Sequence, residues 1–350
     1  MGCCNPNQRN IPENVLVNRA LRAIERSDMK TVKLLSQKFC ELRKIDDEIG
    51  EIKNVKLNAL GYALWTGQVQ PFMYIHRVLG ARTKAMEELF AKSEITSLHI
   101  ICAKGYIDIL KYYLPYYVEE VTEYPEIQEF VTSMNSQMYF DDISSLCFNS
   151  PHYLPIQLAT IQENINILAF IYSYFSDKSF IPRLLDMEYK EESTGENCVL
   201  VACRNGNYKM IVFFYKNCKL NFRVKNNLGH NAINVLIDGS KSNRDKRYFN
   251  CLRYLVEKVC VDVEYMYQFN LKVAQDPDII KYLESKLREY GITTTKKDVD
   301  IQQIRLLSYE NERRGKYMQE NSINYRDNYF LSQLDISQNE SVNSPIKGNN

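Results

Sequence analysis

The residues best suited to chemistry stand at the start of the chain: Met1-Gly2-Cys3-Cys4-Asn5-Pro6. Removal of Met1 would leave Gly2 as an amino-terminal glycine, the residue that accepts an N-myristoyl group, and Cys3 and Cys4 offer thiols for S-palmitoylation. The common acceptor pattern carries Ser or Thr where this chain has Pro6. One myristoyl chain binds a bilayer only reversibly, with a constant of about 10⁴ M⁻¹, and a second acyl group makes the attachment stable. Residues 1–13 therefore read as a lipidation segment. It would hold the chain peripherally on the cytosolic face of a membrane, with the leaflet as one partner. No apolar run of the secretory kind follows it.

No second reactive centre emerges. The phosphate-cradling patterns G-x-x-x-x-G-K-[ST] and G-x-G-x-x-G are absent, as are H-E-x-x-H, G-x-S-x-G and an EF-hand loop. His76, His99, His152 and His230 share no close spacing. Cys40, Cys102, Cys147, Cys198, Cys203, Cys218, Cys251 and Cys260 lack the C-x2-C pairing of a zinc site. They sit in apolar company, as in Ile101-Cys102-Ala103 and Val259-Cys260-Val261, and read as small buried hydrophobes. The reading assigns no catalytic residue, cofactor, metal or small-molecule substrate, and takes the chain as non-enzymatic.

Composition agrees. The 350 residues carry 44 Lys and Arg against 43 Asp and Glu, a net charge of +1, which argues against a dedicated nucleic-acid binder. Hydrophobic residues make up 45%, enough for a substantial core. No apolar stretch nears the roughly 18 residues of a membrane span. The densest, Ile165–Phe175, is interrupted by Asn166 and Ser173.

The elements that would carry any binding residues come from a repeat. Its clearest unit runs Thr96-Ser97-Leu98-His99-Ile100-Ile101-Cys102-Ala103-Lys104-Gly105, a short apolar helix closed by glycine. Ile109, Leu110, Tyr113 and Leu114 follow at helical spacing. The frame recurs at Leu154-Pro155-Ile156-Gln157 with Ala159, at Gly195-Glu196-Asn197 with Ala202 and Gly206, and at Asn227-Leu228-Gly229-His230-Asn231. Leu60, Ala63 and Gly67 fit an earlier unit, Ala23 and Ser27 a degenerate first one, and Ala274–Leu283 a last one. Frames start near 18, 58, 96, 154, 197, 231 and 269, at intervals of 40, 38, 58, 43, 34 and 38.

This pattern resembles the ankyrin repeat, whose period is about 33 residues. Thr96, Leu98 and His99 match its T-P-L-H signature, with Ser97 in place of Pro, and Gly105 matches its turn glycine, as do Gly67, Gly206 and Gly229 in their units. The resemblance implies an all-α, ankyrin-like helical solenoid of about seven imperfect repeats over residues 14–290. It implies that His99 is structural. It also implies a protein-binding surface at the turn tips, near Asn58, Glu94–Thr96, Ser193–Asn197 and Asn226–Asn231, with Glu94, Thr96, Glu196, Asn227 and His230 as the contacting residues. A protein partner of unstated identity follows, and the reading is a scaffold or adaptor. The competing readings are a soluble regulatory or substrate-recruiting subunit without an anchor, and an enzyme in a divergent repeat shell.

Two insertions interrupt the frame. Between Leu114 and Leu154 the chain is acidic and aromatic, with an extra helix expected around Glu119–Thr132; Glu119, Glu123 and Glu126 would suit a basic partner. The second, Asp238–Tyr248, is basic and polar. Arg19, Arg22, Arg26, Lys30 and Lys33, spaced 3, 4, 4 and 3, form one helix face unless a turn near Ser27 splits it. They read first as the solvent face of the first unit, and otherwise as an attraction for an anionic leaflet. Residues 291–314 read as a capping helix and 315–350 as a polar, largely disordered tail.

Overall fold

The structure, a computed structural model, describes residues 13–42, 45–93, 95–123, 153–178, 180–241 and 246–292. The chain divides into two compact units, Met1–Tyr282 and Leu283–Asn350. The first is an ankyrin-like stack of helix pairs. In chain order they are α1 (Glu13–Glu25) with α2 (Met29–Leu42), α3 (Ala59–Trp65) with α4 (Val69–Arg77), and, after a lone α5 (Thr83–Ala91), α6 (Ser97–Lys104) with α7 (Ile107–Glu123). Then come α8 (Pro155–Ile161) with α9 (Ile165–Phe175), α10 (Cys198–Arg204) with α11 (Tyr208–Phe213), and α12 (Ala232–Ser240) with α13 (Lys246–Tyr254). The seventh pair is α14 (Tyr267–Val273) and α15 (Pro277–Glu289), of which α15 begins in the first unit and ends in the second.

Five of the seven frame starts read from the sequence are helix caps, whereas those near 18 and 269 fall inside α1 and α14. Asn58, Thr96, Leu154, Asn197 and Asn231 are the N-caps of α3, α6, α8, α10 and α12. The Asn58 side chain accepts the Gly61 amide at 2.8 Å and that of Asn197 the Leu200 amide at 3.1 Å. Such caps satisfy amides that the first helical turn leaves without partners.

The ends of the inner helices repeat as closely. Asp28, Gln68, Tyr106, Asn164 and Asn207 each donate an amide to the carbonyl five residues back, at 2.9 to 3.1 Å. The residue before each is left-handed: Ser27, Gly67, Gly105, Glu163 and Gly206, with φ from 52° to 74°. This is the Schellman ending. Glycine is required where the next pair packs close, since a Cβ on Gly67 would lie 2.6 Å from the Tyr106 ring and one on Gly206 2.8 Å from that of Tyr248. Between the pairs lies one continuous apolar core. Phe72, Phe90, Tyr113 and Phe214 are fully buried, and burial of each such side chain contributes about 1.5–3 kcal/mol.

The expected helical solenoid carries one short hairpin besides: β1 (Gly50–Ile52) and β2 (Val55–Leu57) pair antiparallel across Lys53 and Asn54, whose positive φ of 52° and 65° suits a tight hairpin. Several other expectations need correction. The helix expected at Glu119–Thr132 is, as far as Glu123, the prolongation of α7. Asp238 belongs to α12 and Tyr248 to α13, so the second insertion is shorter than its composition suggests. Ser27, at φ 52°, divides the basic stripe between α1 and α2. Cys102, Cys198, Cys203, Cys218 and Cys251 are buried, but Cys260 is exposed. Residues 1–12 of the lipidation segment, residues 293–314 of the expected capping helix and the tail lie outside the described residues, while Glu13 opens α1. Among the described residues no helix is long and apolar enough to cross a membrane.

Candidate partner-binding surface

The turn tips divide into a buried and a presented set. Asn58, Thr96, Glu196 and His230 are each at most 5% exposed. A partner cannot reach them, because each is used inside the stack. Asn58 caps α3. The Thr96 amide donates to His99 Nδ1 at 3.1 Å, which leaves the ring proton on Nε2, directed at the Tyr153 backbone carbonyl. Burial pushes the His99 pKa down to about 4, against that opposing hydrogen bond, so the ring is neutral and structural. The His230 ring lies on Phe269, centroids 4.4 Å apart. Glu94 and Glu126 lie outside the described residues; Glu123 ends α7; Glu119 is exposed on that helix.

Glu196 anchors a charged cluster between the fifth and sixth pairs. Arg204 forks onto it, with Nε 3.0 Å from Oε2, and reaches Asp238 at 3.1 Å. Lys241 completes the set on Asp238 at 2.8 Å. Burial alone would lower the Arg204 pKa, but the two carboxylates raise it. Burial pulls the Asp238 carboxyl up, and Lys241 and Arg204 more than offset it, holding it below its usual range. Asn226 also donates to Glu196 Oε1 at 3.3 Å.

Three consecutive tips form a ladder. The buried Glu191 carboxylate accepts the amides of Ser193 and Thr194, both at 2.7 Å, and both their hydroxyls. On this turn the next tip rests. The Asn227 amide donates to the Thr194 carbonyl at 2.9 Å, and its side chain donates to the carbonyls of Glu192 at 2.8 Å and Ser193 at 3.1 Å. Lys190 Nζ donates to the Lys225 carbonyl at 2.7 Å. The third tip closes on the second through Tyr265, whose hydroxyl donates to the Gly229 carbonyl at 2.9 Å while its ring carries the Lys225 ammonium 3.6 Å from the centroid.

The ladder presents Lys190, Glu192, Arg223, Lys225, Asn227, Leu228 and Glu264 outward. Leu228, half exposed, is the one large apolar side chain among them. Of the tip residues singled out from the sequence only Asn227 is brought to this surface. Leu228 falls within the tip expected at residues 226–231 without being singled out, although a leucine within the turn Asn227-Leu228-Gly229 was the available signal: a turn tip has no core to give it. Among the described residues no cluster of His, Cys, Asp and Glu is arranged to hold a metal ion. The buried thiols are unreactive, since burial pushes Cys198, Cys218 and Cys251 up to about 12.

Among solved structures the chain is similar to the ankyrin repeat domain of Bcl-3, described as a unique member of the IkappaB protein family. The likeness covers 76% of this chain and 97% of that one at 13% identity, with a TM-score of 0.46. No family model matches the chain, and neither does any curated protein.

Proposed function

We propose that this chain is a non-catalytic protein-binding adaptor, tethered to the cytosolic face of a membrane by acylation at Gly2 and at Cys3 or Cys4. The ladder of the fifth to seventh tips carries the first half of the reading. A surface whose backbone is already bonded tip to tip loses little freedom on binding. Leu228 supplies an exposed apolar anchor, and Lys190, Glu192, Arg223 and Lys225 on the same ladder supply exposed polar groups. The second half rests on the adjacency of one amino-terminal glycine and two thiols.

Capture from native extract tests the first half. Full-length wild type should retain a stoichiometric protein that Leu228→Asp and Lys225→Glu lose, at unchanged melting temperature; identical captures would refute the ladder. Intact mass of the native amino-terminal peptide tests the second, with fractionation of wild type, Gly2→Ala and Cys3→Ser/Cys4→Ser. Acyl mass and a soluble shift in both variants support the tether, and an unmodified, soluble wild type removes it.

A further inference from the structure

The free side of the first helix pair carries a pattern that neither the core nor the ladder uses. In α1, Ala20 and Ile24 turn toward the second pair, and in α2 so do Val32, Leu35 and Ser36; together they line a small apolar cavity with Ala59, Ile75 and Leu79. With 3.6 residues per turn, the opposite side of α1 runs Val15, Arg19 and Arg22, continued by Arg26 just past the helix end, at spacings of 4, 3 and 4, and the opposite side of α2 bears Lys30 and Leu34. All six are exposed. Val15 is 50% and Leu34 62% exposed, among the largest apolar exposures of the described residues. Ser27 splits the stripe along the sequence, but both halves come to the same outward side of the pair. Lys33 flanks it, leaning over the Tyr74 ring at 5.8 Å.

An end pair of a repeat stack ordinarily shows solvent a polar side. Two half-bare aliphatic side chains set among cations are what a peripheral membrane contact requires: apolar insertion at the acyl boundary, with charge drawn to anionic headgroups. Glu13, Glu25 and Asp28 are also exposed here. Asp28 is engaged by Thr31, whose hydroxyl and amide lower its pKa. Five cations remain against three carboxylates.

We infer that the outward side of α1 and α2 is a contact for an anionic lipid leaflet, through Arg19, Arg22, Arg26 and Lys30 with Val15 and Leu34. The contact needs no acyl group, so it stands apart from the tether proposed above. The two fit together, because residues 4–13 can span at most about 30 Å. Acyl chains at Gly2 and Cys3 would therefore enter the same patch of bilayer that this side faces.

The experiment is co-sedimentation of the full, unacylated bacterial product with phosphatidylcholine vesicles, with and without about 30% phosphatidylserine. The expected result is binding to the anionic vesicles alone, weakened in high salt. Each cation near such a surface is worth about fivefold in affinity. Arg22→Glu/Arg26→Glu/Lys30→Glu should therefore lower partitioning at least about tenfold, and Val15→Ser/Leu34→Ser severalfold. Circular dichroism should be unchanged in both, since the side chains are exposed. Equal binding to both vesicles, no binding to either, or reversal without effect would overturn the inference. So would a salt-sensitive dimer, lost in the same variants, without lipid binding, because it would show a second copy on this side. Acylation is absent throughout, so none of these outcomes bears on Gly2.

Discussion

Gln157 holds in the fourth helix pair the place that His99 holds in the third. Each is the third residue of its inner helix and accepts the amide of its own cap: Leu154 donates to Gln157 Oε1 and Thr96 to His99 Nδ1, both at 3.1 Å. Each then donates forward to the carbonyl just before the next inner helix's cap. Gln157 reaches Glu196 at 2.7 Å, and His99 is directed at Tyr153. Asn234 repeats the arrangement in the sixth pair, accepting from Asn231 at 3.0 Å and donating to Tyr265 at 3.4 Å. One side chain thus closes its own helix and sets the spacing to the next pair. Imidazole and carboxamide serve alike, because each offers one acceptor and a donor on its far side.

Only the imidazole titrates. Its folded pKa, about 4, lies below the ordinary 6.5 because burial disfavours the charged ring. Between those values the unfolded chain takes up a proton that the folded chain refuses, so stability is complete above about pH 6.5 and falls as pH drops toward 4. The loss is roughly 3 kcal/mol. His99→Gln keeps both bonds and removes the titration. Urea denaturation of the two proteins at about pH 7.5 and about pH 4.5 checks this: the gap should open in acid, in favour of the variant. Parallel acid sensitivity would mean that another group is responsible.

The cluster at Glu196 should answer to removal of one partner more than to removal of both. Glu196 is 3% exposed and bonded to both Arg204 and Asn226. Glu196→Ala leaves a partly buried guanidinium facing Asp238 alone, at an expected cost of about 3–5 kcal/mol. Glu196→Gln/Arg204→Met replaces the pair with neutral groups of similar size and should recover part of that. Thermal denaturation of the three proteins decides it, and a cost under about 1 kcal/mol for Glu196→Ala would show the cluster to be a solvated ornament.

Gly239 gives a prediction opposite to helix propensity. It lies inside α12, where alanine is ordinarily favoured over glycine by about 1 kcal/mol. A Cβ here would overlap the Arg204 carbonyl, whose carbon is only 2.8 Å away. That neighbour is backbone and cannot rotate aside. Gly239→Ala should therefore destabilise by about 2 kcal/mol or more, through overpacking between the fifth and sixth pairs. A stabilised variant in chemical denaturation would contradict the packing described here.

The helix frame was legible because it is written in local chemistry. Asn58, Thr96, Leu154, Asn197 and Asn231 had to precede apolar runs, and Gly67, Gly105 and Gly206 had to follow them, and these positions became caps and left-handed endings. What a side chain does across pairs was not legible. Glu196 reads as an acidic turn residue available to a partner, yet Arg204, eight positions on, and Asn226, in the next tip, draw it inward. The exposure of Val15 and Leu34 was equally hidden. A helix of an end pair has the same periodicity as one inside the stack, and only the absence of a preceding pair among the described residues leaves its second side bare. Glu163 shows the reverse limit: it takes the left-handed position that glycine holds elsewhere, at φ 56°, so the turn existed without its usual marker.

The outer helices supply a last test of the same idea. The fourth helix ends with the Ala81 amide on the Ile75 carbonyl at 3.2 Å, and the fifth and sixth pairs end with Leu220 on Phe214 at 3.1 Å and Val261 on Leu255 at 3.0 Å. Each bond spans six residues and leaves the residue before its donor left-handed: Gly80, Lys219 and Cys260, at φ 72°, 51° and 58°. Glycine adopts that conformation freely, whereas a Cβ meets the following carbonyl at a cost of about 1–2 kcal/mol. The gain from glycine is partly offset by the freedom it adds to the unfolded chain. Lys219 and Cys260 are exposed, so no packing is lost with them. Lys219→Gly and Cys260→Gly should each stabilise by roughly 0.5–1 kcal/mol. Gly80→Ala should destabilise by a similar amount, with strain alone as the cause, since nothing lies within 4 Å of its added Cβ. Urea midpoints of the three variants, taken against wild type, should show two rises and one fall; a fall for Lys219→Gly and Cys260→Gly would mean that these positions carry no backbone strain.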